Sequence, residues 1–261
     1  MINFDFTLQS IEYFLLIMMR IASFLAVAPL YSRSSVPIRV KIGISFFLSI
    51  ILYQVLPAQE INYHGLIGFT GIAVKEVITG LLIGYAATIC TSIIVMAGHM
   101  IDMNIGLSMA MEYNPELKAQ VSVSTQFYDT VILLLLLVTN MHTYILRAIS
   151  DSFLLIPVNG QTFNWDRLLL SMVTYMGNSF VIAFRIVLPV FACIMILNVI
   201  LGIMSKVSPQ MNMFSIGIQL KLLLGLIVIF VTIGLVVHVA DFIFEEMKRI
   251  MVNVIQGLYA G

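Results

Sequence analysis

LLLSMVTYMGNSFVIAFRIVLPVFACIMILNVILGIM, residues 168–204, decides the class of this protein. In 37 residues it contains one charged group, Arg185, and one proline, Pro189. About 20 apolar residues, rising 1.5 Å each, cross the roughly 30 Å of hydrocarbon in a bilayer. As a helix this run would measure about 55 Å. It is more than long enough to span a membrane and too long to be a span alone.

Five further apolar stretches surround it, at about Ile11 to Leu30, Ile42 to Leu56, Leu66 to Met96, Phe127 to Leu146 and Ile216 to Phe244. Turn and breaker residues separate them at Tyr31 to Pro37, Pro57 to His64, Pro157 to Asp166 and Ser205 to Ser215. The second stretch is short for a span. The third and sixth, like the fifth, are overlong at roughly 46 and 43 Å, and tilt absorbs only a few ångströms of mismatch. One reading is that these helices project from the bilayer and pack on something there. The other is that they are tilted or broken. Pro189 supplies a kink point in the fifth, and Lys75-Glu76 in the third leaves Val77 to Ala97 as an ordinary span.

Composition agrees with the membrane. The chain is 61% hydrophobic and 10% charged, against about 25% charged in a soluble domain. It cannot cover itself with a hydrated surface. Thirteen basic and thirteen acidic residues cancel, which removes the electrostatic case for nucleic acid. Cys90 and Cys193 lie far apart in apolar runs and read as small hydrophobes, not a disulfide. No basic residue precedes Arg20, whereas Asp5 and Glu12 do; a cleaved signal would start with positive charge, so the first stretch is expected to stay. The expected fold is an all-α polytopic membrane protein with about six long hydrophobic helices. Arg33, Arg39 and Lys41 place the first loop in the cytoplasm. Alternation then puts Met100 to Gln126 and the Lys206 loop on the same side and both termini outside.

The residues do not equip the chain as an enzyme. Its histidines, His64, His99, His142 and His238, sit on separate elements without zinc spacing. There is no phosphate loop and no Gly-x-Ser-x-Gly elbow. Neither a metal nor a cofactor is expected. Arg20, Lys75, Glu76 and Arg185 are charges within apolar runs, costly in lipid. They read either as an ion or substrate path or as pairing and assembly contacts between helices or subunits, and the lack of an internal repeat favours the second. Gly80 and Gly84 form a Gly-x-x-x-Gly that suits a closely packed helix. From Gly98 to Gln126 the apolar character lapses: Asp102, Asn104, Glu112, Asn114, Pro115, Glu116, Lys118 and Gln120 occur among Met100, Met103, Met109 and Met111. Methionine is compliant enough to fill irregular gaps. This segment reads equally as a solvated loop or as a surface that closes on itself or on passing sequences.

The order of several short motifs resembles a known family over essentially the whole chain. They are Ala28-Pro29-Leu30 with Val36-Pro37, Lys75-Glu76-Val77 before Gly80 and Gly84, and Ala97-Gly98-His99 before Ile101-Asp102 and Gly106. Asn140-Met141-His142, Asp151-Ser152-Phe153 before Pro157, and Pro189 follow. The strongest is Ser208-Pro209-Gln210-Met211-Asn212-Met213-Phe214 with Gly217. Together these resemble the FliR family of flagellar export-gate proteins and its relatives in virulence-type secretion systems. One departure is His99-Met100, where the family often has Gln-Leu.

The resemblance implies a FliP-like part, residues 1–160, followed by a FliQ-like helical hairpin, residues 161–261. It implies a gate in the bacterial inner membrane at the flagellar basal body, projecting to the periplasmic side. FliP-like and FliQ-like subunits would be its partners, with an FlhB-like switch protein, an FlhA-like export protein and unfolded export substrates. The family's plug falls on residues 106–122, so Glu112, Tyr113, Asn114, Pro115, Glu116 and Lys118 would obstruct the resting pore, with Met103, Met109 and Met111 sealing around them. The hairpin tip, with Lys206, Pro209, Gln210, Asn212 and Phe214, would meet the switch protein. A virulence-type export gate and a small-molecule secondary transporter are the alternatives.

Overall fold

The structure, a computed structural model, describes residues 8–57, 63, 65–109, 112–114, 119–210 and 212–259. Apart from turns and one short hairpin, the described residues are helical. The helices are α1 (Leu8–Val27), α2 (Ile38–Val55), α3 (Gly65–Ile105), α4 (Val123–Val138), α5 (Met141–Leu155), α6 (Trp165–Val207), α7 (Met213–Thr232) and α8 (Leu235–Leu258). Strands β1 (Glu112–Asn114) and β2 (Ala119–Val121) pair antiparallel between α3 and α4. Five helices, α1, α2, α3, α6 and α7, are long and apolar enough to cross a membrane, and α4 with α5 would make a sixth as a bent pair. The chain is an all-α polytopic membrane protein.

Three expectations need correction. The stretch Phe127 to Leu146 is not one span: α4 and α5 meet at a 69° bend, where Asn140 takes a left-handed φ of 56°. Asparagine tolerates that region better than the residues around it. The stretch Ile216 to Phe244 breaks after Thr232, and α8 resumes beyond Gly234. The segment read as non-apolar from Gly98 is helical as far as Ile105, so α3 extends to 41 residues. By contrast, Pro189 lies inside α6, which continues for 43 residues.

The described residues form two compact units. One contains residues 1–89, 140–175 and 246–261, and the other residues 90–139 and 176–245. In the first unit, Phe14 meets Phe46 edge-on at 5.7 Å and Tyr13 lies 6.0 Å from Tyr53, joining α1 to α2. Further along α1, a Cβ at Gly80 would collide with the Arg20 carbonyl oxygen, and one at Gly84 would sit 2.8 Å from that of Phe24. The glycine pair therefore brings the backbones of α3 and α1 together, as small residues do in membrane helix packing. The end of α8 buries Met247, Ile250, Met251, Val254, Ile255 and Leu258. Their three- and four-residue spacing is one helical face. That face packs near the start of α6, where Leu168 lies 3.0 Å from the Cβ position of Gly257 and Asn253 donates to the Tyr175 hydroxyl.

In the second unit Gly225 of α7 accommodates Ile105, whose side chain lies 2.5 Å from the Cβ position. Gly217 similarly faces Leu201 of α6 at 3.4 Å. Both cysteines are free thiols.

Candidate functional site

The second unit holds the segment between α3 and α4. Gly106, at φ 95°, turns the chain out of α3, and its N–H still reaches the Asp102 carbonyl at 2.9 Å. No atom lies within 4 Å of its Cβ position, so the glycine is required for its backbone angle alone. A 3-10 turn at Leu107–Met109 follows, and then the hairpin, in which Glu112 faces Val121, Tyr113 faces Gln120 and Asn114 faces Ala119.

Both sides of the hairpin are fastened by polar contacts. Asn114 is buried and donates from Nδ2 to the Gln126 Oε1 on α4. Ser122, in the cap position of α4, makes no side-chain cap. Its Oγ lies 3.0 Å from Thr125 Oγ1 and 3.5 Å from His99 Nδ1. The capping group comes from another helix: Asp102, fully buried on α3, accepts from the Ser124 N–H at 2.8 Å and from Ser124 Oγ at 2.5 Å. A carboxylate there satisfies free N–H groups and complements the positive end of the helix dipole. Gly98 permits the approach, since a Cβ would stand 2.6 Å from Thr125 Cα. The loop is thus held at a fixed base where α3 and α4 touch backbone to backbone.

Replacing Asp102 by alanine should cost roughly 1–3 kcal/mol, the usual range for orphaned buried hydrogen-bond partners. Thermal denaturation of the detergent-extracted chain should show it. Ser124→Ala should cost less than Asp102→Ala, because the carboxylate keeps its bond from the Ser124 position's backbone N–H.

Of the residues assigned to the plug, Met103 is exposed on α3 and Asn114 is buried. Met109 ends the 3-10 turn, and Glu112 and Tyr113 lie in β1. Met111, Pro115, Glu116 and Lys118 fall outside the described residues. Ser122, Ser124, Thr125 and Gln126 were not singled out by sequence, and His99 was noted only among the histidines and in a family motif; neither reading pointed to this contact.

The four charges noted within apolar runs separate into different environments. In the first unit, Arg20 Nε meets Glu76 Oε2 at 2.5 Å, with both side chains fully buried. Arg20 also donates to the carbonyls of Ile156 at 2.9 Å and Pro157 at 3.5 Å, and its guanidinium lies 4.1 Å from the Phe153 ring centroid. The other Glu76 oxygen accepts from the Asn159 N–H at 2.9 Å and Gln161 Nε2 at 2.7 Å. One ion pair therefore ties α1, α3 and the loop after α5 together. Lys75, one residue earlier, is exposed. Arg185 is exposed on α6 in the second unit. Outside the spans, Tyr63 donates to Glu12 Oε1 at 2.5 Å, and that bond raises the phenol pKa above its ordinary value.

At the tip between α6 and α7, Lys206 occupies the last turn of α6 and complements its dipole. Pro209, Gln210 and Asn212 are exposed in the turn. Asn212 caps α7 by accepting from the Ser215 N–H at 3.4 Å, and Phe214 is 76% exposed. An aromatic ring so open beside a polar turn is available to a partner. Among the described residues no group of three or more His, Cys, Asp or Glu could hold a metal ion.

These features define a polytopic helical membrane protein in which buried polar groups fasten helices and one loop. The model of the bacterial export proteins, family 1, matches residues 11–247, and the chain belongs to that family. It is 30% identical over 247 residues to the flagellar biosynthetic protein FliR of Bacillus subtilis (strain 168), covering 93% of this chain and 94% of that one. The Escherichia coli (strain K12) FliR is 26% identical over 242 residues, with 92% of each chain covered. That of Aquifex aeolicus (strain VF5) is 24% identical over 239 residues, covering 91% of this chain and 92% of that one.

Proposed function

We propose that this chain is a non-enzymatic subunit of the bacterial flagellar protein export apparatus, forming with FliP-like and FliQ-like subunits a channel for unfolded flagellar proteins. The observation that carries the hetero-oligomeric part is the apolar surface of α6. This helix has 43 residues, a contour of about 65 Å, and exposes large apolar side chains from Trp165 to Val207. Lipid covers roughly 30 Å of such a length. The remainder needs protein, and most of the apolar side chains of α6 are left uncovered by the rest of this chain.

In this reading residues 1–160 are the FliP-like part and residues 161–261 the FliQ-like hairpin. The segment 106–122 closes the resting pore, with Met103, Met109 and Met111 around it. The tip at Lys206 to Phe214 meets an FlhB-like switch protein, and an FlhA-like protein acts nearby. The assembly belongs in the inner membrane and projects toward the periplasm. Arg20 and Glu76 hold the chain together and take no part in transport.

Native mass measurement of the detergent-extracted chain, expressed with and without FliP-like and FliQ-like subunits, tests the reading. A stable hetero-oligomer with this chain is expected. A monodisperse monomer or homodimer that ignores both partners would replace this reading with the transporter.

A further inference from the structure

We infer that Arg185 is the docking point for a helix of a neighbouring subunit that presents a carboxylate. The inference rests on the hetero-oligomeric reading above and adds where one contact lies and what chemistry the partner brings.

Arg185 is exposed in the interior of α6, twenty residues after its start and twenty-two before its end. Among the described residues it makes no hydrogen bond or ion pair. Four residues later comes Pro189, also exposed. Proline has no N–H, so the Arg185 carbonyl loses its α-helical donor. A guanidinium and a carbonyl that lacks its α-helical donor thus occupy one turn of an otherwise apolar stretch. Both are costly to leave unmatched away from water.

The polar groups on this face favour another helix over lipid. Asn178, Val181, Arg185, Leu188, Ala192 and Met195 are all exposed. Their spacing of three, four, three, four and three residues puts them along one face of α6, a spacing compatible with packing along a partner helix. A purely lipid-facing stripe has no use for an asparagine and an arginine. Within a helix–helix seam, polar residues fix register and partner, and the small Ala192 allows backbones to approach. A carboxylate is the group that matches a guanidinium in charge and in its two-pronged geometry. The partner is therefore a helix with an Asp or Glu inside an apolar stretch.

The test uses the whole chain co-expressed with its candidate partner subunits and reads the assembled fraction by native mass. Arg185→Glu should lower that fraction by at least about thirtyfold, and Arg185→Gln should lower it less. Changing the matching acidic residue of the partner to lysine should restore assembly with Arg185→Glu. Because Arg185 is exposed, both variants should extract as folded protein with wild-type thermal stability. Assembly unchanged in both variants overturns the inference alone. So does a loss that tracks the anionic phospholipid content of the extract, which would make a lipid phosphate the partner. A wild-type chain that never assembles overturns the export-subunit reading and this inference together.

Discussion

Arg20→Met will strongly destabilise the first unit. It leaves the fully buried Glu76 carboxylate without its cation and strips donors from the Ile156 and Pro157 carbonyls. Removing one member of a buried ion pair costs about 3–5 kcal/mol, because the remaining charge stays desolvated. The double variant Arg20→Met with Glu76→Gln should recover much of that loss. It removes the charge, and the side-chain amide it introduces keeps a carbonyl oxygen for the Asn159 N–H or Gln161 Nε2. Thermal denaturation of the detergent-extracted chain should rank wild type first, the double variant next and Arg20→Met last. A double variant as unstable as Arg20→Met would show that the hydrogen bonds to the loop, and not the buried charge, dominate. Lys75→Gln should be close to neutral, since Lys75 is exposed.

That contrast also marks what could be read from the sequence. Charges in apolar runs were visible as unusual, but neighbouring residues on a helix point about 100° apart. Nothing local to Lys75-Glu76 says which of the two faces inward. The partner of Glu76 is 56 positions away, and the loop that completes the site depends on Asn159 at φ 63°. The helical membrane class was legible because composition alone excludes a solvated fold. The helix breaks were less so: the polar dip at Thr139, Asn140, His142 and Thr143 is short enough to be read through as one span, and at Ile233-Gly234 only Gly234 hinted at an interruption. Pro189 reads as a kink point within the fifth stretch, and α6 runs through it as one helix of 43 residues, since one missing hydrogen bond need not end a long helix. At α3, polar residues suggested a loop as early as Met100. Asp102 is polar for a different reason: it caps α4 from inside a helix.

The second large effect is expected from excising residues 109–118. This removes the end of the 3-10 turn and all of β1, the part of the loop proposed to obstruct the pore. It leaves Gly98 against Thr125 and Asp102 on Ser124 in place. The base at which α3 meets α4 is therefore preserved while the obstruction is lost. The purified assembly in planar bilayers should change from background current to sustained ion conduction, with its native mass reduced only by the excised residues. Asp102→Ala should behave differently, lowering stability through the α4 cap while conduction in the surviving complexes stays near background. Asn114→Ala provides the finer comparison, since it cuts the buried contact to Gln126 without shortening the chain. If that contact holds the loop in place, this variant should conduct intermittently, between wild type and the excision. An intact assembly that lacks residues 109–118 and still holds a tight barrier would place the seal elsewhere, and the plug assignment would have to be abandoned.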